Sequence, residues 1–411
     1  MVDIKQFGET LAALRKKQGL TGERFAELLN VSSQAVSKWE TGKNLPETAL
    51  LPDISKLLMV SIDSLLLPKK HPVKYYLDGC YIDALPTLQW GQMQDCTWAG
   101  SIQILLDMFG ISLTYSDIMG YSGSCYYFAM TKNWCPSAAM PHVLYDPAVI
   151  LERAAGVTRG CFSFDQMDAC VKEAIHCAKP VMLLQPRVEM EWGVLCGYTG
   201  DGRFYGRSYF DYLKPGVEDI FTDNNYFLAD YYHQTDPHYV YFLQSLTSPL
   251  PTREALKVSL ETALSVYTAA PQYGNIFYFG MDAYDILIDS LRLDDRGFSA
   301  LTQYGATGNG YILLTRLVDA RRAAHIFWSG KSSLISGKNG QKLRDLSALY
   351  AQMVSVLSTV LPNDLVASTQ NGYPVTAWTQ SARLAVADAV AACKEYERQA
   401  IVLIEEVLAR W

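Results

Sequence analysis

Apolar residues in the first seventy positions recur at the spacing of short helices. Ile4, Phe7, Leu11 and Leu14 lie three or four residues apart, which predicts a first helix that Gly19 ends. Further helices are predicted after the capping residues Thr21 and Ser32 or Ser33, beyond residue 47, and over 61–66. The pattern therefore predicts an all-α domain of four to five helices over residues 1–67.

The second and third predicted helices are joined by a tight turn, which is typical of a helix-turn-helix. The residues that carry this signal are Ser32-x-Gln34-Ala35-Val36-Ser37-Lys38-Trp39-Glu40-x-Gly42. Over residues 4–67 the chain resembles the Cro/xenobiotic-response-element repressor family, and this resemblance implies binding of double-stranded DNA. A small helical bundle used for protein contacts is the alternative.

Short polar and basic side chains on and beside the predicted recognition helix are the candidate DNA contacts. Gln34 suits a bidentate contact with adenine, whereas Lys38 suits a phosphate contact. We interpret Trp39 as a core residue. The candidate DNA-binding residues are Thr21, Ser32, Ser33, Gln34, Ser37, Lys38, Lys43 and Asn44. Because two-fold proteins read paired half-sites, we expect a homodimer on a palindromic operator.

The composition changes after a predicted linker over residues 68–74. Residues 75–250 contain short aromatic-rich runs separated by glycine turns, which predict an α+β domain with an antiparallel sheet. The predicted strands cover 181–184, 192–198, 204–210 and 239–243. A helix is predicted between Cys96 and Phe109.

A cysteine at the start of a helix, followed by an antiparallel sheet, is typical of papain-like architecture, because a helix N-terminus favours a thiolate. Gln94-Asp95-Cys96-Thr97-Trp98-Ala99 resembles the nucleophile helix of bacteriocin-leader-processing cysteine peptidases. Gly120-Tyr121-Ser122-Gly123 and Glu191-Trp192-Gly193 are similar to the papain-like domain of the butirosin biosynthesis protein H family. That resemblance implies an acyltransferase, for which the candidate catalytic residues are Cys96, Gln92, His238 and Asp211.

The sequence departs from these enzymes at the position of the catalytic histidine, where Glu191 and Trp192 stand. His142 and His176 are weaker substitutes than His238. A thiol without a base lacks an activated nucleophile, and we expect Glu191 to raise the pKa of Cys96 by like-charge repulsion. We therefore predict a catalytically silent domain with a ligand pocket, unless its tyrosines are only half-buried strand residues. The candidate pocket residues are Cys96, Trp98, Tyr121, Tyr126, Glu191 and Trp192.

Helical periodicity dominates residues 251–411. Helices are predicted over 255–267, 279–291, 312–327, 343–361 and 378–411, and their apolar stripes suit a core or a dimer contact. The glycine-rich segment 304–310 lacks the spacing of a phosphate loop, so we interpret it as a turn.

Composition narrows these possibilities. The net charge is −7, yet ten Lys/Arg against eight Asp/Glu make the first seventy residues mildly basic. The nine cysteines include no Cys-x-x-Cys pair, which indicates reduced thiols and a cytoplasmic location. We find no signal peptide or membrane-spanning segment, and we predict no cofactor and no metal.

Three functions remain open from the sequence. The first is a multidomain DNA-binding transcriptional regulator whose papain-like body senses a small molecule without catalysis and holds a dimer. The second is a cysteine-dependent acyltransferase or amide hydrolase that uses Cys96 and carries a helix-turn-helix. The third is a body that serves only as a dimerisation scaffold.

Overall fold

The structure is a computed structural model. It describes residues 4–58, 62, 66, 73–75, 79–88, 90, 94–161, 166–184, 191–209, 220–221, 226–229, 239–301, 306–361, 366–370, 373–376 and 378–411. The chain divides into two compact units, of which one comprises residues 1–74 and 82–84 and the other residues 75–81 and 85–411. No helix in the described part of the chain is both long and apolar enough to cross a membrane.

The first unit is helical. Its helices are α1 (Ile4–Lys17), α2 (Gly22–Leu28), α3 (Ser33–Glu40) and α4 (Leu51–Leu58), and a 3-10 turn (Thr48–Leu50) precedes α4. The predicted caps are confirmed, because the Thr21 hydroxyl accepts the Arg24 N–H at 3.1 Å and the Ser32 hydroxyl accepts the Ala35 N–H at 3.2 Å.

The core of the first unit is formed by the apolar positions that the helical spacing indicates. Phe7 and Leu11 of α1 pack with Phe25 of α2 and with Val36 and Trp39 of α3. Trp39 is buried, as predicted from its position on the inner side of α3. Helices this short gain most of their stability from such packing, so the core fixes how α2 and α3 are arranged.

The second unit contains an antiparallel sheet, as predicted. The strands of the chain are β1 (Val73–Tyr75), β2 (Cys80–Ile82), β3 (Ala129–Thr131), β4 (Val157–Cys161), β5 (Val181–Leu184), β6 (Trp192–Tyr198), β7 (Phe204–Arg207), β8 (Ile220–Phe221), β9 (Phe227–Ala229), β10 (Val240–Leu246), β11 (Phe277–Phe279), β12 (Val366–Gln370) and β13 (Tyr373–Thr376). In the large sheet the order is β4-β10-β5-β6-β7-β9-β8, and β2 pairs with the end of β6. Strands β11 and β3 pair separately, as do β12 and β13.

Helices pack on this sheet and continue beyond it. They are α5 (Thr97–Met108), α6 (Tyr115–Tyr121), α7 (Pro147–Ala155), α8 (Met167–His176), α9 (Thr252–Tyr267), α10 (Gly280–Leu291), α11 (Asp295–Leu301), α12 (Ala306–Lys331), α13 (Gly337–Val360) and α14 (Gln380–Leu408). Short 3-10 helices cover Pro136–Ala139, Pro141–Val143 and Ser332–Leu334. The helices predicted beyond residue 251 are confirmed.

The interpretation of segment 304–310 as a turn is wrong for its described part, because α12 begins at Ala306. Gly310 lies against Trp134, and a Cβ atom at this position would be 2.3 Å from the indole ring. The glycine therefore allows close packing of a helix on an aromatic side chain and does not end the helix.

A fully buried ion pair joins the helices of the second unit. The Arg321 guanidinium on α12 lies 2.8 Å from the Glu397 carboxylate on α14, and neither side chain is exposed. Arg321 also donates to the Cys125 carbonyl at 2.9 Å, while the Tyr284 hydroxyl on α10 donates to Glu397 at 2.6 Å. One pair of charges thus connects α10, α12, α14 and the segment after α6.

Replacing Glu397 with alanine is expected to lower the free energy of unfolding by about 3–5 kcal/mol, because it leaves the Arg321 charge buried without a counter-ion. Urea unfolding of the full chain measures this loss. The matched control is Asp388→Ala, since Asp388 pairs with Arg292 on the surface and its loss should cost less than about 1 kcal/mol. Similar losses in the two variants would contradict a structural role for the buried pair.

Candidate nucleic-acid interface and the Cys96 region

Helix α3 has one buried side and one exposed side. Val36 and Trp39 are buried against α1 and α2, whereas Gln34, Ser37 and Lys38 are exposed. All eight candidate contacts are exposed residues, namely Thr21, Ser32, Ser33, Gln34, Ser37, Lys38, Lys43 and Asn44. The hydroxyls of Thr21 and Ser32 already cap α2 and α3, so these two residues also shape the helix ends.

The turn between α2 and α3 is fixed by the backbone. Asn30 adopts a left-handed conformation with φ at 53°, which asparagine accepts more readily than most residues. The Val31 N–H then donates to the Ala26 carbonyl at 3.0 Å. This closure sets the direction in which α3 leaves the turn.

The segment after α3 is held in the same way. Gly42 has φ at 67°, and a Cβ atom there would lie 2.7 Å from the Lys5 Cα atom on α1. The N–H groups of Lys43 and Asn44 both donate to the Lys38 carbonyl, at 2.9 and 3.3 Å. One short segment with a hydrogen-bonded backbone therefore carries the side chains of Lys38, Lys43 and Asn44.

An ion pair fixes the end of α3 to α1. Arg15 is bidentate on Glu40, with Nε 2.5 Å from Oε1 and Nη2 3.0 Å from Oε2, and both side chains are largely buried. Arg15 Nη1 also donates to the Leu20 carbonyl ahead of α2. Glu40 raises the pKa of Arg15 through this contact, which burial partly opposes. The guanidinium thus orients α2 and α3 together.

The exposed cations beside α3 are available to an anion. Lys38 and Lys43 form no ion pair with any residue that the structure describes. By contrast, Arg24 on α2 pairs with Glu27 at 2.8 Å. Free ammonium groups at the end of an exposed polar helix suit contacts with phosphate.

Cys96 lies at the N-cap of α5 and is buried. Its backbone N–H donates to the Tyr115 hydroxyl at 2.8 Å, and that hydroxyl donates to the Asp319 carboxylate at 2.6 Å. Arg316 donates to the same carboxylate oxygen at 3.1 Å, and the Tyr209 hydroxyl donates to the Cys96 carbonyl at 3.3 Å. Cys96 therefore contacts a buried network supplied by α6, α12 and the end of β7.

Burial raises the pKa of the Cys96 thiol, while Arg316 and the Ala99 N–H act in the opposite direction. The carboxylate that adds to the rise is Asp319. Glu191, for which the sequence predicts this role, is not among the causes of the shift. Glu191 accepts a hydrogen bond from the Ser208 hydroxyl at 2.5 Å instead. At neutral pH this environment keeps Cys96 as a thiol.

The other candidate catalytic residues, Gln92, Asp211 and His238, lie outside the described residues. No hydrogen-bond or electrostatic partner of Cys96 among the described residues is a histidine. His142 lies instead between Trp98 and Trp192, with ring centroids 6.1 and 4.9 Å away, and burial lowers its pKa to about 4.

The six candidate pocket residues are buried, and the structure places four of them in two groups. Trp98 and Trp192 lie together around His142, and Trp98 Nε1 donates to the Tyr241 hydroxyl at 2.8 Å. Tyr121 and Tyr126 pack against α12, where the Tyr121 ring lies 5.1 Å from the Phe327 ring and the Tyr126 hydroxyl accepts from Trp328 Nε1 at 2.8 Å. Of the other two candidates, Glu191 lies directly before β6 and Cys96 lies directly before α5.

Tyr115, Arg316 and Asp319 are not among the candidate residues predicted from the sequence. Arg316 and Asp319 are three residues apart on α12, so they share one face of that helix. Ala320 and Ala323 on the same face are buried. A charged pair among apolar residues at helical spacing is the sequence signal that could identify this site. Among the described residues, no group of three or more His, Cys, Asp or Glu side chains is arranged to hold a metal ion.

Comparison with known proteins concerns the first unit. The helix-turn-helix family model matches residues 11–65. Over 61 residues the chain is 49% identical to the HTH-type transcriptional activator BcrR of Enterococcus faecalis, a match that covers 15% of this chain and 30% of BcrR. Over 60 residues it is 38% identical to the SPbeta prophage-derived HTH-type transcriptional regulator YonR of Bacillus subtilis, which covers 15% of this chain and 56% of YonR.

A third relative is matched along its whole length. The HTH-type transcriptional regulator YazB of Bacillus subtilis is 36% identical over 69 residues, which are 17% of this chain and 100% of YazB. Through its N-terminal unit, the chain belongs to the helix-turn-helix family of transcriptional regulators.

Proposed function

We propose that the chain is a cytoplasmic transcriptional regulator that binds double-stranded DNA through α3. The observation that carries this proposal is that Gln34, Ser37 and Lys38 of α3 are exposed while Arg15–Glu40 fixes the orientation of the helix. A helix held in this way can enter the major groove, whose floor presents a distinct pattern of donors and acceptors for each base pair. The relative BcrR is named a transcriptional activator, which supports the same class of function here.

Two kinds of contact divide the candidate residues. The Gln34 amide, on the first turn of α3, can both donate and accept, as adenine requires. Lys38 and Lys43 form no ion pair with the described residues and suit phosphate, and phosphate contacts position the protein without reading sequence. Ser33 and Ser37 are also placed to contact base edges.

We further propose that the regulator acts as a homodimer on a palindromic operator. A single domain of four short helices presents few base contacts, and two-fold dimers double that number with half-sites about one helical turn apart. The long helices α13 and α14 offer surface for such a contact. Val402 on α14 is more than half exposed although it is apolar.

For the second unit we propose a papain-like domain over residues 75–250, followed by a helical region over 251–411, that senses a small molecule without catalysis. Cys96 at the N-cap of a helix beside an antiparallel sheet supports the resemblance, and its raised pKa supports the absence of catalysis. A domain that serves only to hold the dimer is the simpler form of this proposal.

A cysteine-dependent acyltransferase or amide hydrolase is the competing proposal. Arg316 and the Ala99 N–H favour it, because both stabilise a thiolate at Cys96. Burial opposes this proposal more strongly, because burial is the largest cause of the raised pKa of the Cys96 thiol.

Replacing Gln34 with alanine should weaken binding to an operator selected from random duplexes by about 1–3 kcal/mol and leave binding to unselected DNA nearly unchanged. Fluorescence anisotropy on both duplexes measures the difference. Lys38→Ala is the contrasting variant, since it should weaken both and reduce the salt dependence by about one unit. Equal losses on both duplexes in Gln34→Ala would remove its role in reading sequence.

The full chain should have the mass of a dimer both free and on its operator. Light scattering combined with size-exclusion chromatography measures this mass at concentrations above and below those used for binding. A monomer under both conditions would end the homodimer proposal.

Cys96 should react with iodoacetamide at neutral pH more slowly than Cys161, which is exposed, because burial keeps Cys96 protonated and covered. Mass spectrometry of the labelled peptides gives both rates. Cys96→Ser should leave operator affinity unchanged. Faster labelling of Cys96 than of Cys161 would favour the enzyme over the silent domain.

A further inference from the structure

A second cysteine of the second unit is in contact with an imidazole. Cys80 Sγ on β2 lies 3.8 Å from His176 Nδ1 at the end of α8. His176 Nε2 lies 2.6 Å from the Tyr198 hydroxyl at the end of β6. We name these three residues the Cys80 cluster. A thiol, an imidazole and a group that orients the imidazole are the parts of an activated cysteine.

Sheet register and helix packing bring the cluster together. Cys80 and Tyr198 are paired neighbours where β2 meets β6. His176 is the last residue of α8, where its imidazole meets both Cys80 and Tyr198. The Tyr75 ring stacks on His176 with centroids 5.8 Å apart and planes 14° from parallel, which restrains the imidazole.

The hydrogen bonds define one consistent placement of protons. Burial, with a contribution from Cys80, raises the pKa of Tyr198 to about 12, so this phenol keeps its proton at neutral pH. If His176 Nε2–H donates to the Tyr198 oxygen, the Nδ1 lone pair faces the Cys80 thiol and can accept its proton.

Burial limits what can react with this thiol. Cys80 is fully buried, with no measurable exposed surface, so a bulky or charged reagent is excluded. A small neutral molecule such as hydrogen peroxide remains able to reach it when the structure opens locally.

We propose that Cys80 is a thiol activated by His176 and a site of oxidation by hydrogen peroxide. The thiol proton passes to His176 Nδ1, and the thiolate sulfur attacks one peroxide oxygen. The S–O bond forms as the O–O bond breaks, so sulfur is oxidised and peroxide is reduced. The released hydroxide takes the proton from His176, which leaves water and a sulfenic acid on Cys80.

The test uses the full-length reduced chain at pH 7 with hydrogen peroxide. After quenching and unfolding, iodoacetamide blocks the remaining thiols, and mass spectrometry gives the oxidation rate at each cysteine. Cys125 is the matched control, because it is also fully buried and burial raises its pKa to about 12. We expect Cys80 to oxidise about 10-fold faster than Cys125, or more, since a positioned base gives at least this advantage.

Two results would overturn the proposal. The first is a rate for Cys80 no higher than that for Cys125 in the unmodified chain, which needs no variant. The second is an unchanged rate for Cys80 in His176→Gln, once circular dichroism shows that this variant is folded. We expect His176→Gln to lower the rate to that of Cys125, because glutamine retains polarity but cannot act as the base. Since Cys80 stays in place in this variant, the comparison separates activation from accessibility.

Discussion

The second unit depends on the burial of guanidinium groups carried by α12. A buried arginine keeps its charge, so every such group requires a carboxylate and further acceptors at hydrogen-bond distance. Arg321 obtains these from Glu397 and the Cys125 carbonyl, and Arg316 obtains its carboxylate from Asp319. Because the partners of Arg321 come from distant parts of the chain, this one side chain links α14 and the segment after α6 to α12.

The helix-turn-helix also contains a largely buried ion pair between an arginine and a glutamate. Arg15 on α1 reaches across to Glu40 and to the Leu20 carbonyl, and thereby fixes both ends of the segment that contains α2 and α3. A domain this small has a limited apolar core, so a partly buried bidentate pair adds geometric definition that packing alone supplies poorly. The exposed side chains Gln34, Ser37 and Lys38 of α3 take no part in this ion pair and can contact a ligand.

The sequence predicts those features of the fold that are set by residues a few positions apart. The caps Thr21 and Ser32, the helical stripes and the antiparallel strands could be predicted because each follows from local chemistry within a few positions. The pairing of Arg321 with Glu397 could not, since 76 residues separate them and the helical pattern places both among apolar residues. The prediction of a turn at Gly310 is wrong for a related reason, because the role of this glycine is set by Trp134, which is distant in the chain.

The same distinction applies to the cysteines. Resemblance to known enzymes drew attention to Cys96, yet its buried partners are Arg316 and Asp319, neither of which removes a proton from a thiol at neutral pH. A guanidinium supplies a countercharge without a base, so burial determines the state of this sulfur. Cys80 carries no such motif, but the fold brings His176 and Tyr198 to it. The reactivity of a thiol follows from the proton acceptor that the tertiary structure places beside it, and a sequence motif reports that acceptor only when both lie on the same local element.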